Sequence, residues 1–175
     1  WSCMMTLPRE LRIENGRLLQ SPVREIEKYR VNPVRYDNRT IAGKCRLPDI
    51  SGRSLDLTVE IQDGDYHEFT IRFAQNERFN TSLAYCKEKQ MLELDRTYSG
   101  MVRDTIAQRR VKVKNPKETL KLRFILDKYS AEVFVNDGEQ VLSTTFYTSL
   151  DADEISFECD GTAVTAIEKY TISVD

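Results

Sequence analysis

Lys128 to Thr148 reads KYSAEVFVNDGEQVLSTTFYT, two alternating runs on either side of Asn136-Asp137-Gly138. An Asp-Gly pair suits a two-residue turn whose central residues both take φ > 0, because Gly has no Cβ to clash and Asp tolerates that region. With Asp137 and Gly138 as the loop, Asn136 faces Glu139, Val135 faces Gln140, Val133 faces Leu142, Ala131 faces Thr144 and Tyr129 faces Phe146. One face of the hairpin is then apolar. The other collects Ser130, Glu132, Ser143 and Thr145 around one greasy pair, Phe134 and Val141, so it is half-wet or partly covered by another part of the chain. A slip of one residue would scramble both faces, which fixes the register.

Outward from the hairpin the same period recurs. Leu55 to Ile61 alternates without fault, Asp63-Gly64-Asp65 reads as a turn, and Phe69, Ile71 and Phe73 alternate again. Leu83 with Tyr85, Leu92 with Leu94, Val111 with Val113, and Leu120 to Leu126 suggest further strands. Ile155, Phe157 and Cys159 share a face, Asp160-Gly161 reads as a turn, and a last strand runs from Ala163 to Val174. Its parity set by Ile167 disagrees with Tyr170 and Ile172, which predicts a bulge near Glu168-Lys169. Near the start, Leu11 and Ile13 alternate, Asn15-Gly16 turns the chain and Arg17 to Gln20 returns. Ser21 as cap and Pro22 at the first helical position predict a short helix carrying Val23, Ile26 and Tyr29. About a dozen short strands with one minor helix predict an all-β, antiparallel two-sheet β-sandwich of the jelly-roll or concanavalin-like kind.

A chain of 175 residues can bury roughly two-thirds of its unfolded surface, enough for a core without staples. Net charge is -2 with the signs mixed, which argues against a nucleic-acid partner held by bulk electrostatics. Cys3, Cys45, Cys86 and Cys159 form no CxxC pair, and His67 is the one imidazole. A metal centre therefore has almost no ligand set to draw on, no cofactor is implied, and four dispersed thiols favour a reducing compartment, the cytoplasm. No apolar run approaches a membrane span, so no membrane partner is expected. The chain opens on Trp1, which reads as a start inside a longer polypeptide.

Residues with chemistry in them are few. Phe157-Glu158-Cys159-Asp160 pairs two carboxylates, as glycosidases do, but alternation puts both acids on the solvent face of a strand. His67 has no nucleophile motif beside it. The glycines map to turns and cradle no phosphate. Arg103, Arg109, Arg110, Lys112, Lys114, Lys117, Lys121 and Arg123 make one basic stretch, but aromatics are not interleaved as single-strand nucleic-acid binding needs. Tyr66, Phe79 and Tyr98 are the aromatics expected to be exposed and able to stack on a sugar ring. No catalytic residue is assigned.

Four stretches in this order carry a family resemblance. They are Trp1 with Met5-Thr-Leu-Pro-Arg-Glu-Leu11, Leu19-Gln-Ser-Pro-Val-Arg-Glu-Ile26, Glu93-Leu-Asp-Arg-Thr-Tyr-Ser-Gly100, and Ser130-Ala-Glu-Val-Phe-Val-Asn-Asp-Gly138. The chain resembles, over essentially its whole length, the C-terminal sandwich of glycoside hydrolase family 32. The resemblance implies a parent enzyme that cleaves β-fructofuranosides with retention, an invertase, levanase, inulinase or sucrose-6-phosphate hydrolase, built as an N-terminal five-bladed propeller joined to this sandwich. The family's catalytic motifs, Trp-x-Asn-Asp-Pro-Asn-Gly, Arg-Asp-Pro and Glu-Cys-Pro, belong to the propeller, and none occurs here. Glu158-Cys159-Asp160 lacks the Pro. Cys3 stands where a Gly is usual and Phe146-Tyr147 where Phe-Pro is common. The four cysteines and the wording around Pro8 lean towards the intracellular sucrose-6-phosphate hydrolases.

The expectation is thus a non-catalytic module that packs on the propeller of its own polypeptide, stiffens it, and contributes to a homodimer or to the rim of the active site. Residues 1–11 are the linker, with Trp1, Met4, Met5 and Leu7 as its docking strip, and residues 12–175 are the sandwich. The competing expectation is a domain that binds carbohydrate, a fructan, through Tyr66, Phe79 and Tyr98. A free-standing interaction protein is the third.

Overall fold

The computed structural model describes residues 4–101, 106–113 and 119–174. Among them eleven strands follow in order: β1 (Arg9–Glu14), β2 (Arg17–Pro22), β3 (Arg30–Cys45), β4 (Leu55–Gln75), β5 (Thr81–Cys86), β6 (Met91–Asp95), β7 (Gln108–Lys112), β8 (Leu120–Asp127), β9 (Ser130–Val135), β10 (Gln140–Thr145) and β11 (Glu154–Ile172). A 3-10 helix of six residues, Arg24–Tyr29, joins β2 to β3.

The β9–β10 hairpin has the expected register, Val135 opposite Gln140, Val133 opposite Leu142 and Ala131 opposite Thr144. Its loop is longer than the Asp-Gly pair implies. Asn136 joins Asp137 and Gly138 at positive φ (47°, 58° and 97°), and Glu139 is helical, so four residues make the connection. Asn136 is suited to that strained place because its Oδ1 accepts the Lys121 N–H at 3.1 Å.

All pairings are antiparallel, and nine strands hydrogen-bond into one continuous sheet with two arms. β4 is the stem. Leu55 to Ile61 pair with β8, which leads to β9 and β10, whereas Glu68 to Phe73 pair with β5, which leads to β6 and β7. Phe124 lies opposite Leu57, sixteen residues from Phe73 along β4. A straight strand would hold those positions about 50 Å apart at roughly 3.3 Å per residue. The Phe73 and Phe124 rings nevertheless meet edge to face at 5.7 Å, and Phe73 meets Phe146 at 5.9 Å. The stem therefore folds over, and its arms become two layers of a sandwich.

The fold-over is made where three long strands cross it together. Asp63-Gly64-Asp65 and Asp160-Gly161 are not turns, because β4 and β11 run straight through them. Gly161 pairs with Tyr66 and Ala163 with Gly64, with register shifts at Asp160/Gly161 and Val164/Thr165. Beside them β3 carries Gly43 at φ +62° opposite Cys159, next to another shift. Both central glycines are needed twice over. Gly64 and Gly161 sit at φ +148° and +110°, and a Cβ on either would stand 2.2 Å from a backbone carbonyl oxygen, Thr162 O or Asp65 O.

The core follows from the alternation. Leu55, Leu57, Val59, Ile61, Phe69, Ile71 and Phe73 of β4 are buried with Leu120, Leu122 and Phe124, with Val133 and Val135, and with Ile155 and Phe157. A second, smaller cluster on the outside of the β8–β9 arm joins Ile125 and Phe134 to Ile26 of the 3-10 helix, with Leu7, Val141 and Ile172 packed against it. This explains the parity change in the last strand. Ile172 turns outward to meet that cluster, and β11 stays in register with β4 from Thr165 to Thr171; its irregularities face β3, one lying between Lys169 and Thr171. The helix also departs from expectation. Ser21 and Pro22 finish β2 opposite Glu10 and Arg9, and Val23, with no side-chain cap, precedes the helix.

Replacing Gly64 or Gly161 by Ala is expected to cost about 2–4 kcal/mol, since left-handed strain alone costs about 1–3 kcal/mol and the carbonyl clash adds to it. Gly16→Ala, at φ +73° in open space, is the control and should cost about 1 kcal/mol. Urea unfolding of the three variants measures the difference, and equal losses would show that close approach at the bend is irrelevant.

Candidate functional site

The outer face of the β8–β9 arm gathers the molecule's most organised polar groups. Asp56, 1% exposed, receives Arg30 Nε and Nη2 at 2.9 and 2.7 Å and Arg123 Nε and Nη2 at 3.0 and 2.8 Å. β4 supplies the acid, β8 one arginine and the start of β3 the other. Glu27 of the 3-10 helix stands 3.6 and 3.7 Å from the same two guanidinium groups, and Arg30 lies 4.7 Å over the Tyr170 ring. Two cations thus meet two carboxylates, and every oxygen of Asp56 is committed.

Glu132 forms a second knot. Its Oε1 accepts the Leu7 N–H at 2.5 Å and its Oε2 accepts Arg9 Nε at 3.1 Å and Nη2 at 2.5 Å. Arg9 also donates to Gln20 and Ser143 and lies 5.7 Å over the Phe134 ring. Sequence alternation put Glu132 on the half-wet face, and it is in fact buried beneath the N-terminal segment. The signal that could have found it was there: Phe134 and Val141 among polar neighbours asked for a cover, and Leu7-Pro8-Arg9 supplies one.

Between these knots and the β1–β2 hairpin runs a groove of about 970 Å³. Its cations are already matched. Arg12 pairs with Glu14, Arg17 with Glu139, and Lys121 with Asp137 at 2.9 Å and Glu60 at 3.7 Å. The hydrogen bond to Asp137 holds the Lys121 ammonium above its usual range. Phe134, the aromatic at its floor, is 2% exposed and offers no stacking surface. The groove can hydrogen-bond, but among the described residues it aims no unpaired cation at a ligand, and its one carboxylate outside an ion pair, Glu168, accepts the Tyr170 hydroxyl at 2.9 Å.

The residues singled out from sequence do not converge. Trp1 lies outside the described residues, as do Cys3, Arg103, Lys114 and Lys117. Leu7 packs inward on the second cluster and Met4 is half-buried, whereas Met5 is 97% exposed, so of the strip's described residues Leu7 is the one seated on that cluster. Tyr66 is not exposed. Its ring packs edge to face on Phe69 at 6.4 Å, Lys87 caps it at 4.8 Å, and burial pushes its phenol up to about 12. Phe79 is half-buried and Tyr98 exposed, in loops linked by the Asn80 N–H to Tyr98 carbonyl bond. They lie at the opposite end of β5 from Tyr66, about 20 Å away at roughly 3.3 Å per residue.

The acids and bases are equally dispersed. Glu158 is tied to Arg72, Asp160 points to solvent, and His67 meets only Glu88, both 74% exposed. Of the basic stretch, Arg110 pairs with Glu93 on one arm while Lys121 and Arg123 pair on the other, so no single cationic patch forms among the described residues.

Against known proteins, the family model described as "Glycosyl hydrolases family 32 C terminal" matches residues 25–174. A sucrose-6-phosphate hydrolase of Staphylococcus xylosus is 29% identical over 100% of this chain and 36% of its own length. A raffinose invertase of Escherichia coli is 33% identical over 89% of this chain and 32% of its own. Among solved structures, an exo-inulinase from Aspergillus awamori superposes with TM-score 0.80 at 22% identity, over 96% of this chain and 35% of that one. The chain thus spans about a third of the length of the relatives it matches.

Asp56→Ala is expected to destabilise the fold by roughly 3–5 kcal/mol, because it leaves two arginines, each 20% exposed, without a buried partner. The triple variant Asp56→Leu, Arg30→Met, Arg123→Met should recover most of that loss, since removing all three charges removes the desolvation cost as well. Denaturant midpoints of the two proteins decide the point; a triple variant no more stable than the single would mean that the cluster is not a self-compensating unit.

Proposed function

This chain belongs to the family of glycosyl hydrolase family 32 C-terminal domains, and from that premise we propose that it is the non-catalytic C-terminal module of a β-fructofuranosidase-type enzyme. The match over residues 25–174, in a chain covering about a third of its relatives, carries the reading. The parent enzyme hydrolyses sucrose 6-phosphate, or sucrose and related fructosides, with its chemistry in a preceding catalytic propeller. The role of this module is to pack on that propeller and stiffen it. What supports a non-catalytic role is the state of the charged groups. Asp56, Glu132, Glu60 and Glu158 are all bound to arginine or lysine, whereas glycoside cleavage uses one carboxylic acid and one free carboxylate flanking the scissile bond. Cytoplasmic location is part of the same reading, supported by Cys45, Cys86 and Cys159 as free thiols. Fructan binding through Tyr66, Phe79 and Tyr98 is less well supported, because the Tyr66 ring is buried.

Residues 1–175 alone are expected to release no glucose or fructose from sucrose or sucrose 6-phosphate, while the full polypeptide does. Deleting this module should lower the melting temperature of the catalytic part by about 5 °C or more, on a scale of roughly 2–4 °C per kcal/mol. Turnover by the pure 175-residue chain, or an unchanged melting temperature after deletion, would refute the assignment. Calorimetric titration with inulin or levan oligosaccharides, compared with a Tyr98→Ala variant, tests the binding alternative.

A further inference from the structure

The β1–β2 hairpin is the part of the molecule least used by the fold that holds it. It is a separate two-stranded sheet, and among the described residues no other strand pairs with either of its edges. Its register sets Ile13 directly opposite Leu18 with Leu11 two residues along, so the three side chains form one contiguous patch on one face. That patch is open to solvent, with Leu11 66%, Ile13 78% and Leu18 53% exposed. Arg12 and Leu19, opposite one another on the other face, line the groove over the sandwich. At the open end of the patch's own face Arg9 reaches in to Glu132 and binds Gln20, whereas towards the turn Leu11, Ile13 and Leu18 are left outward, where a surface hairpin would carry polar groups.

An isolated two-stranded hairpin is marginal in water, and a contiguous exposed apolar patch marks a contact surface. Two facts name the partner. The family match begins at residue 25, leaving this hairpin on the N-terminal side of the matched domain. That domain is the C-terminal one, so in its relatives the unmatched two-thirds of the polypeptide lies largely before it.

We propose that the apolar face of Leu11, Ile13 and Leu18 is the docking surface for the preceding catalytic module of the same polypeptide. This rests on the reading that such a module precedes the chain, and it moves the contact from the expected N-terminal strip to the outer face of the hairpin. Leu7 of that strip and Arg9 at the start of β1 are both bound to Glu132, which anchors the open end of the hairpin to the sandwich.

Hydrogen–deuterium exchange on the full polypeptide and on residues 1–175 tests it, with an Ile13→Lys, Leu18→Lys double variant made in both. Amides of residues 9–20 are expected to exchange at least ten-fold more slowly in the full polypeptide. The double variant should remove that protection and leave β4 and β11 unchanged. Equal exchange in the two wild-type proteins overturns the proposal, as does protection in residues 1–175 alone that rises with concentration, which would make the occupant a second copy. Sucrose and sucrose 6-phosphate hydrolysis measured on the same full polypeptide separates the two ideas: active protein with an unprotected hairpin refutes the docking face alone, and protected but inactive protein refutes the functional reading alone.

Discussion

The structure depends on one close approach, where Gly64 of β4 and Gly161 of β11 let two backbones pass with no Cβ between them. Without that contact β4 would be a rod of about 70 Å at roughly 3.3 Å per residue over its 21 residues, and Phe73 could not meet Phe124. With it, one sheet supplies both layers, and three long strands carry the hydrogen bonds across the fold-over. Few backbone groups are then orphaned at the corner, which is the usual difficulty in turning a sheet sharply. Two of the arms' loose ends are tied by side chains instead. Arg53 donates to Thr148 Oγ1 at 2.6 Å and to the Ala152 carbonyl at 2.9 Å while lying 4.9 Å over Phe146, fastening the loop after β10 to the core.

That architecture explains why the register of the hairpin was legible and the corner was not. In β9–β10 Ala131, Val133 and Val135 lie on the main core, and that face fixes the register although Glu132 and Phe134 on the other face are covered too. Gly64 and Gly161 carry the same chemical signal as Asp137-Gly138, a small residue beside Asp able to take positive φ, yet there the strand continues. Sequence reports that the backbone must be left-handed; which partner approaches it is a long-range fact. Tyr66 was misjudged for the same reason. It looks like an exposed aromatic beside a turn, and the bend brings Phe69 beneath it and Lys87 over it. The Ser21-Pro22 signal failed differently, because Arg9 and Glu10 across the hairpin claim those residues as strand before a helix can begin.

The outer face of the β8–β9 arm was half legible. Phe134 and Val141 announced a cover, but nothing local said that Leu7, 125 residues before Glu132, would bring it. Glu132 and Asp56 then look like ordinary strand acids in sequence and are the two most enclosed carboxylates of that face. Their burial is tolerable because arginine reaches each in forked geometry and because aromatic faces, Phe134 and Tyr170, take the flat sides of the guanidinium groups.

Such a surface is stiff and chemically quiet for one reason. A carboxylate that accepts two arginines has its negative charge neutralised and its lone pairs used, so it has neither a proton to give nor a pair to offer. The same contacts fix the relative positions of β3, β4, β8 and the helix between β2 and β3, and the Glu132 knot extends this to the N-terminal segment. A catalytic site trades stability for free, strained or poorly solvated groups. Here the buried charges are spent on holding the outer face and the chain that crosses it, and that is the requirement of a body on which another module can bear.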